Sequence, residues 1–364
     1  MPSLKENLLT EFKIPEINGD RCVHAHIETA TCEACVDACP EEAWILDDES
    51  LGLNTEACDG CGLCVPACSE GAILQTQICT IRETTEENNK QKVLLLGCEY
   101  TGLQETNCKC IHAVGTTDLL KLKRDGINHI YVATGDCIDC SRGQNETLFE
   151  RIDAINEMLR HSHFSPIHYN EFSTSHWREL WKTPEKSAPG PEISRRMFFR
   201  SAIKQTIEMV MHQSNFDNSG EFIPAGKILT ITEADEAAVY PAVPIINLDK
   251  CNGCDACMRA CPHEVISLSK DNDQLCYTID ASACTACNIC QDICDQDAVS
   301  VIHWGIQEYK TIPLVSQKCE SCGVAFHKPQ LLQIEMGEGR PKQRTLCNIC
   351  CKTDHHRNLY QVMG

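Results

Sequence analysis

Two stretches of this chain, CNGCDACMRACP at 251–262 and CTACNICQDICD at 284–295, repeat one spacing, C-x2-C-x2-C-x3-C, with 22 residues between the runs. No other feature of the sequence restricts the backbone as much. Three thiols at two-residue gaps meet only if the chain wraps a common centre, and an iron-sulfur cube offers three such corners. The fourth cysteine, set back by a longer gap, crosses to the neighbouring cube. The spacing thus assigns Cys251, Cys254, Cys257 and Cys294 to one 4Fe-4S cluster, and Cys284, Cys287, Cys290 and Cys261 to another. Cys261 precedes Pro262 but Cys294 precedes Asp295, a departure that leaves the ligand count intact.

The same grammar recurs upstream. CDGCGLCVPACS at 58–69 supplies Cys58, Cys61, Cys64 and Cys68, but the run before it is incomplete. Cys32, Cys35 and Cys39-Pro40 keep the spacing, and the position of the missing first cysteine holds Thr29. Cys22 is the nearest candidate, so a longer loop is expected to bring Cys22 to Cys32, Cys35 and Cys68, with Cys39 joining Cys58, Cys61 and Cys64. The alternative is a three-cysteine site with a labile fourth iron near His24 or His26. Residues 22–79 and 245–302 resemble two bacterial-type dicluster ferredoxin domains. That resemblance implies a compact α+β unit with pseudo-two-fold symmetry, each half giving a cluster loop, a short helix and hairpin strands. AWIL after Cys39-Pro40 and EVISL after Cys261-Pro262 fall where a strand would cover each cube and exclude water.

The chain holds 28 cysteines in 364 residues, a density that suits a disulfide scaffold only in a short secreted protein. The opening MPSLKENLLTEFKIPEINGD has no basic stretch followed by an apolar one, and no run approaches the length of a membrane span. A reducing cytoplasm, where close thiols hold metal, is the expected compartment. A formal charge of −20 and a pI near 5.1 argue against nucleic acid and anionic membranes, and favour redox partners with basic docking surfaces.

Different material lies between the repeats. KVLLLGC (92–98) and INHIYVA (127–133) read as buried strands and PIHY (166–169) as a third strand, alternating with the helical stretches TTDLLKLKRDG and ETLFERIDAINEMLR. The expectation is a small parallel α/β domain over 92–170. Its loops carry Cys98, Cys108, Cys110, Cys137 and Cys140 after strand C-terminal ends, where such sheets place ligands. Three fates stay open for them: a further iron-sulfur cluster, a redox dithiol, or no chemistry. Cys137 and Cys140 are expected to feel a helix N-terminus that favours thiolate. The strand-and-cysteine pattern resembles the α/β domain of small hydrogenase and heterodisulfide-reductase electron-transfer subunits.

Residues 171–244 read as a linker with an amphipathic helix that places Phe199, Ile203, Ile207 and Val210 on one face. Trp177 and Trp181, one helical turn apart, read as a packing stripe. At the C-terminus, Cys319, Cys322, Cys347 and Cys350 form two C-x2-C knuckles suited to a tetrahedral zinc site, with a rubredoxin-like iron and a further cluster using Cys351 as the rivals. Cys79 and Cys276 read as small buried hydrophobes. No Walker A loop, dinucleotide fingerprint or serine elbow is present.

The expected fold is a multidomain α+β chain. A ferredoxin-like module at 1–91 and another at 245–305 flank the α/β domain, and a zinc-ribbon-like segment follows at 306–364. The expected cofactors are four 4Fe-4S clusters and zinc, with a further iron-sulfur cluster at the α/β cysteines as the open case. This order resembles bacterial iron-sulfur proteins encoded beside molybdenum formate dehydrogenases, and it implies such an enzyme as the redox partner. Electron transfer is the leading reading. Its rivals are an enzyme using the α/β cysteines for thiol or persulfide chemistry and a maturation factor for a molybdenum enzyme.

Overall fold

The structure, a computed structural model, describes residues 14–47, 51–75, 80–86, 89–103, 108–143, 147–182, 222–229, 238–271, 273–330 and 345–353. It divides into two compact units, Met1–Ala25 with Glu33–Glu236, and His26–Cys32 with Ala237–Gly364. The amphipathic helix with Phe199, Ile203, Ile207 and Val210 lies outside the described residues, as do Cys79 and the side chain of Trp181. No described helix is long and apolar enough to cross a membrane.

In the first unit, Glu16–Ile17 pairs antiparallel with Ile73–Leu74, and Trp44–Leu46 with Leu51–Leu53. Single-turn helices, Ala34–Asp37 and Cys64–Ala67, follow the cysteine loops. Trp44, Cys64 and Ile73 are buried together, with Cys35, Val36, Cys39, Val65 and Cys68 packed on them. These cysteines thus sit on the apolar core.

The same unit holds a four-stranded sheet in the order Thr80–Glu86, Asn89–Gly97, His129–Ala133, His168–Glu171. The last three strands run parallel; Val93–Leu96, Ile130 and Val132 are buried in the central two, whereas His168–Glu171, two residues later than the expected PIHY strand, is an exposed polar edge. Thr80–Glu86 pairs antiparallel with Asn89–Gly97, so the sheet is mixed and begins before residue 92. The cause is a hairpin: TIRETTE carries charge and lacks an apolar run, as an edge strand does, and it turns directly into its neighbour. Helix Leu148–His161 starts at a Thr147–Glu150 capping box, with Thr147 N–H donating to Glu150 Oε2 at 2.7 Å and Glu150 N–H to Thr147 Oγ1 at 3.2 Å. Helix Thr174–Lys182 seals one face of the sheet through Trp177, which is fully buried against Val93, Leu95, Leu103 and Ala133.

In the second unit Val239–Ile246 pairs antiparallel with Val299–Ile306. A second sheet runs Ile266–Asp271, Gln274–Ile279, Thr311–Lys318, Ala325–Pro329, antiparallel throughout. Its core joins Ile266, Tyr277 and Ile279 to Ile312 and Leu314. The C-terminal hairpin therefore extends the sheet of the second cysteine module instead of standing apart from it. Cys276 is buried in this sheet at 3% exposure.

Candidate metal centres

The three complete cysteine runs share an unusual backbone. In each, the residues before and after the second cysteine are left-handed: Gly60 (φ 74°) and Gly62 (82°), Gly253 (70°) and Asp255 (63°), Ala286 (64°) and Asn288 (61°). Two such residues around one cysteine reverse the chain sharply, which turns thiols three positions apart toward one point. Glycine takes this conformation freely, while at Ala286 it costs about 1–2 kcal/mol. The incomplete first run lacks the pair, since Glu33 after Cys32 has φ −121°.

The last cysteine of every run opens the same turn. The N–H groups of Glu42, Gly71, Glu264 and Asp297 donate to the carbonyls of Cys39, Cys68, Cys261 and Cys294 at 3.3, 3.1, 3.4 and 3.0 Å. All four donors are left-handed. The next N–H then points at sulfur: Ala43 to Cys39 Sγ at 3.3 Å, Ala72 to Cys68 Sγ at 3.2 Å, and Ala298 to Cys294 Sγ at 3.3 Å. A donor aimed at sulfur favours the thiolate, the form that ligates metal.

Two cavities carry cysteines of different runs. One is lined by Cys39, Cys58, Cys61 and Cys64 with Trp44 and Pro15. The other is lined by Cys261, Cys284, Cys287 and Cys290 under Val265, Ile266 and Ile289. In both, three thiols of one run face the last thiol of its neighbour. Cys251 and Cys257 feel the charge of Cys294 in addition to burial and Cys254, and Cys257 is pushed up to about 12. Cys35 and Cys68 pack beside Trp44, Cys22 follows the short turn Gly19–Arg21, and Cys32 belongs to the second unit. Burial likewise pushes Cys61 up to about 12, and Cys64 and Cys290 further. Such thiols are protonated at neutral pH, so an incoming metal must displace their protons. Soft sulfur donors, an apolar lining and N–H groups aimed at sulfur fit a 4Fe-4S cluster.

The Cys251–Cys257 loop is clamped from the C-terminal hairpin. Tyr277 donates its hydroxyl to Asp255 Oδ1 at 2.6 Å, and His327 Nε2 lies 2.8 Å from the same oxygen. A Cβ on Gly253 would strike the His327 carbonyl. His327 has no local sequence signal, since it meets Asp255 only through sheet pairing 72 residues away.

The sulfurs of Cys319, Cys322, Cys347 and Cys350 all lie within 4.8 Å of one another, with Cys322 and Cys347 at 3.7 Å. That is a metal-binding tetrad of soft donors. The Cys347 N–H, 3.3 Å from Cys319 Sγ, leads the backbone donors that lower the Cys319 thiol to about 6, followed by those of Cys322 and Ser321. Gly323, at φ 73°, relieves the knuckle turn. Lys352 on the second knuckle helix, Asn348–Thr353, is ion-paired with Asp295, the residue after Cys294.

The α/β cysteines gather at the C-terminal edge of the parallel strands. Cys98 leaves strand Asn89–Gly97 and bridges in parallel to Cys108, whose thiol donates to the Gly97 carbonyl at 3.2 Å. Cys110 caps the turn Ile111–Ala113, which Arg151 fixes through the His112 and Val114 carbonyls at 2.7 and 3.0 Å. Cys137 is exposed and Cys140 half-buried. Burial raises Cys98, Cys110 (to about 12) and Cys137; the charge of Cys140 adds to the rise of all three, and that of Cys98 to the rise of Cys110 and Cys137. The expected thiolate-favouring helix terminus is not there. The helix begins at Leu148, eight positions past Cys140, and its dipole fades within a turn.

Residues 29–73 match the family described as 4Fe-4S dicluster domain, and residues 244–267 match the family described as 4Fe-4S binding domain. A protein named uncharacterized ferredoxin, from Methanocaldococcus jannaschii, is 32% identical over 124 residues, which cover 34% of this chain and 67% of that relative.

Proposed function

The chain belongs to the ferredoxins, proteins with 4Fe-4S binding domains, and from that premise we propose that it relays electrons between redox partners through about four such clusters. The observation that carries this reading is the pair of cavities in which thiols of two runs converge. Cys39, Cys58, Cys61 and Cys64 hold one cluster, and Cys261, Cys284, Cys287 and Cys290 another. Cys251, Cys254, Cys257 and Cys294 hold a third, and Cys22, Cys32, Cys35 and Cys68 the fourth. A cluster so bound takes up and gives back one electron with little rearrangement of its ligands. The chain's own part is to keep the site dry with Trp44 and Ile266 and to aim N–H groups at sulfur, both of which set the potential.

Cys98, Cys110, Cys137 and Cys140 are the ligands of a further iron-sulfur cluster in this reading. Burial raises the Cys98, Cys110 and Cys137 thiols, so these three do not offer the low-pKa nucleophile that thiol or persulfide chemistry needs. Cys319, Cys322, Cys347 and Cys350 hold zinc. A formate dehydrogenase is the partner implied by the domain order. Anaerobic iron, zinc and sulfide analysis with EPR during reductive titration tests the assignment. About 16 irons and one zinc per chain fit four cubes and the tetrad, and additional iron fits the α/β site. A folded protein with little iron refutes it, and failure to exchange electrons with a formate dehydrogenase removes that partner.

A further inference from the structure

Arg142 is 3% exposed, an unusual burial for a charge, and every loop it touches carries cysteines. Its Nε donates to Asp59 Oδ2 at 3.0 Å, and its Nη2 is ion-paired with both Asp59 and Glu99. Its Nη1 donates to the Lys109 carbonyl at 2.9 Å, and its guanidinium carbon lies 4.8 Å from the centre of the Tyr100 ring. Asp59 stands between Cys58 and Cys61 and accepts the Cys61 N–H at 2.9 Å. Glu99 follows Cys98, Lys109 separates Cys108 from Cys110, and Arg142 itself lies two residues after Cys140. One side chain thus ties its own loop to the second loop of the N-terminal module and to the Cys98–Cys110 connection of the α/β edge, all within the first unit.

We propose that Arg142 is a positioning residue that locks the Cys58–Cys61 loop to the five-cysteine edge of the α/β domain and, with Asp59 and Glu99, sets the reduction potential of the clusters held there. This rests on the reading that both sets of cysteines carry iron-sulfur clusters. Burying the guanidinium is costly unless it is paired, and losing it leaves Asp59 without its cation while Glu99 keeps Lys109. Lys109 Nζ also pairs with Glu99, at 3.0 Å, so removing the guanidinium takes one positive unit from a local group of two cations and two carboxylates. Reduction adds negative charge, so losing the guanidinium makes reduction harder, whereas neutralising Glu99 makes it easier.

The test is an EPR-monitored redox titration of the full chain, loaded anaerobically, as wild type, Arg142→Gln, Arg142→Lys and Glu99→Gln. At a fixed potential, Arg142→Gln is expected to lower the reduced-to-oxidised ratio of the affected clusters at least tenfold, about 59 mV for a one-electron couple. Glu99→Gln shifts it the other way, and Arg142→Lys, which keeps the charge but loses the fork, returns most of the wild-type value. Opposite signs are the readout that a merely structural role does not produce. If Arg142→Gln does not retain its clusters, Glu99→Gln and Arg142→Lys still decide the matter by sign and by rescue. Unchanged potentials in variants with full iron content overturn the role of Arg142 and leave the electron-carrier reading intact. Wild-type protein without cluster signals overturns that reading, and the inference with it.

Discussion

The crossing of the last cysteine from one run to the neighbouring centre is open to a sharp test in the second module. One cavity joins Cys261 to Cys284, Cys287 and Cys290, while Cys257 feels the charges of Cys251, Cys254 and Cys294. Two double variants separate the possible pairings. Cys261→Ala with Cys290→Ala takes two thiolates from one centre, which leaves too few to retain a cube, so the chain should lose about four irons while its neighbour stays whole. Cys257→Ala with Cys261→Ala takes one thiolate from each of two centres, both of which keep three ligands as three-iron forms, for a loss of about two irons. The two variants remove the same number of cysteines from loops a few residues apart, so general instability does not distinguish them. Iron and sulfide analysis per chain, with EPR of the oxidised proteins to count three-iron signals, reads the difference. If the Cys261/Cys290 protein loses about two irons and the Cys257/Cys261 protein about four, each run closes on its own centre and the crossing is wrong.

Other expectations follow from single contacts. Cys350→Ser should strip about one zinc per chain and lower the melting temperature while cube iron stays, and zinc retained at the wild-type level would contradict the tetrad. Gly253→Ala pays about 1–2 kcal/mol for its left-handed φ, before the clash with His327 is added; a wild-type unfolding midpoint would show that the loop yields easily. Trp177→Ala empties a fully buried site and should cost about 3–5 kcal/mol in urea unfolding, against which a change below 1 kcal/mol would be decisive. In the metal-free chain, Cys61, Cys110 and Cys257 sit near 12 against an ordinary 9.0. The fold keeps protons that the unfolded chain has released, so stability is full below about pH 9 and is lost as pH rises toward 12. Chemical denaturation across that range checks the sign.

The three complete runs could be read from spacing because metal ligation is local, and the chain must supply the same turn wherever it wraps a cube. Their left-handed positions are partly legible as well, at Gly60, Gly62 and Gly253, where glycine marks the turn. Ala286 gives no such signal, since its φ is imposed by the loop around it. The apolar strands 92–98 and 127–133 stood out by composition, whereas TIRETTE did not, because an edge strand needs no apolar face to be paired. Contacts between distant residues left no trace in the sequence. Arg142 lies 83 positions from Asp59, and nothing about SRG after CIDC signals a buried cation. The joining of Thr311–Lys318 to Gln274–Ile279 depends on register, which the pattern TIPLVSQK does not specify on its own.

The amides of Ala43, Ala72 and Ala298, each directed at a cysteine sulfur, also have a use. An electron added to a cluster is shared with its sulfurs and tightens any hydrogen bond they accept. These three amides should therefore trade hydrogen for deuterium more slowly in the reduced protein than in the oxidised one. Because each lies in a different stretch of chain, peptide-level exchange mass spectrometry would report the oxidation state of individual clusters without observing the iron at all.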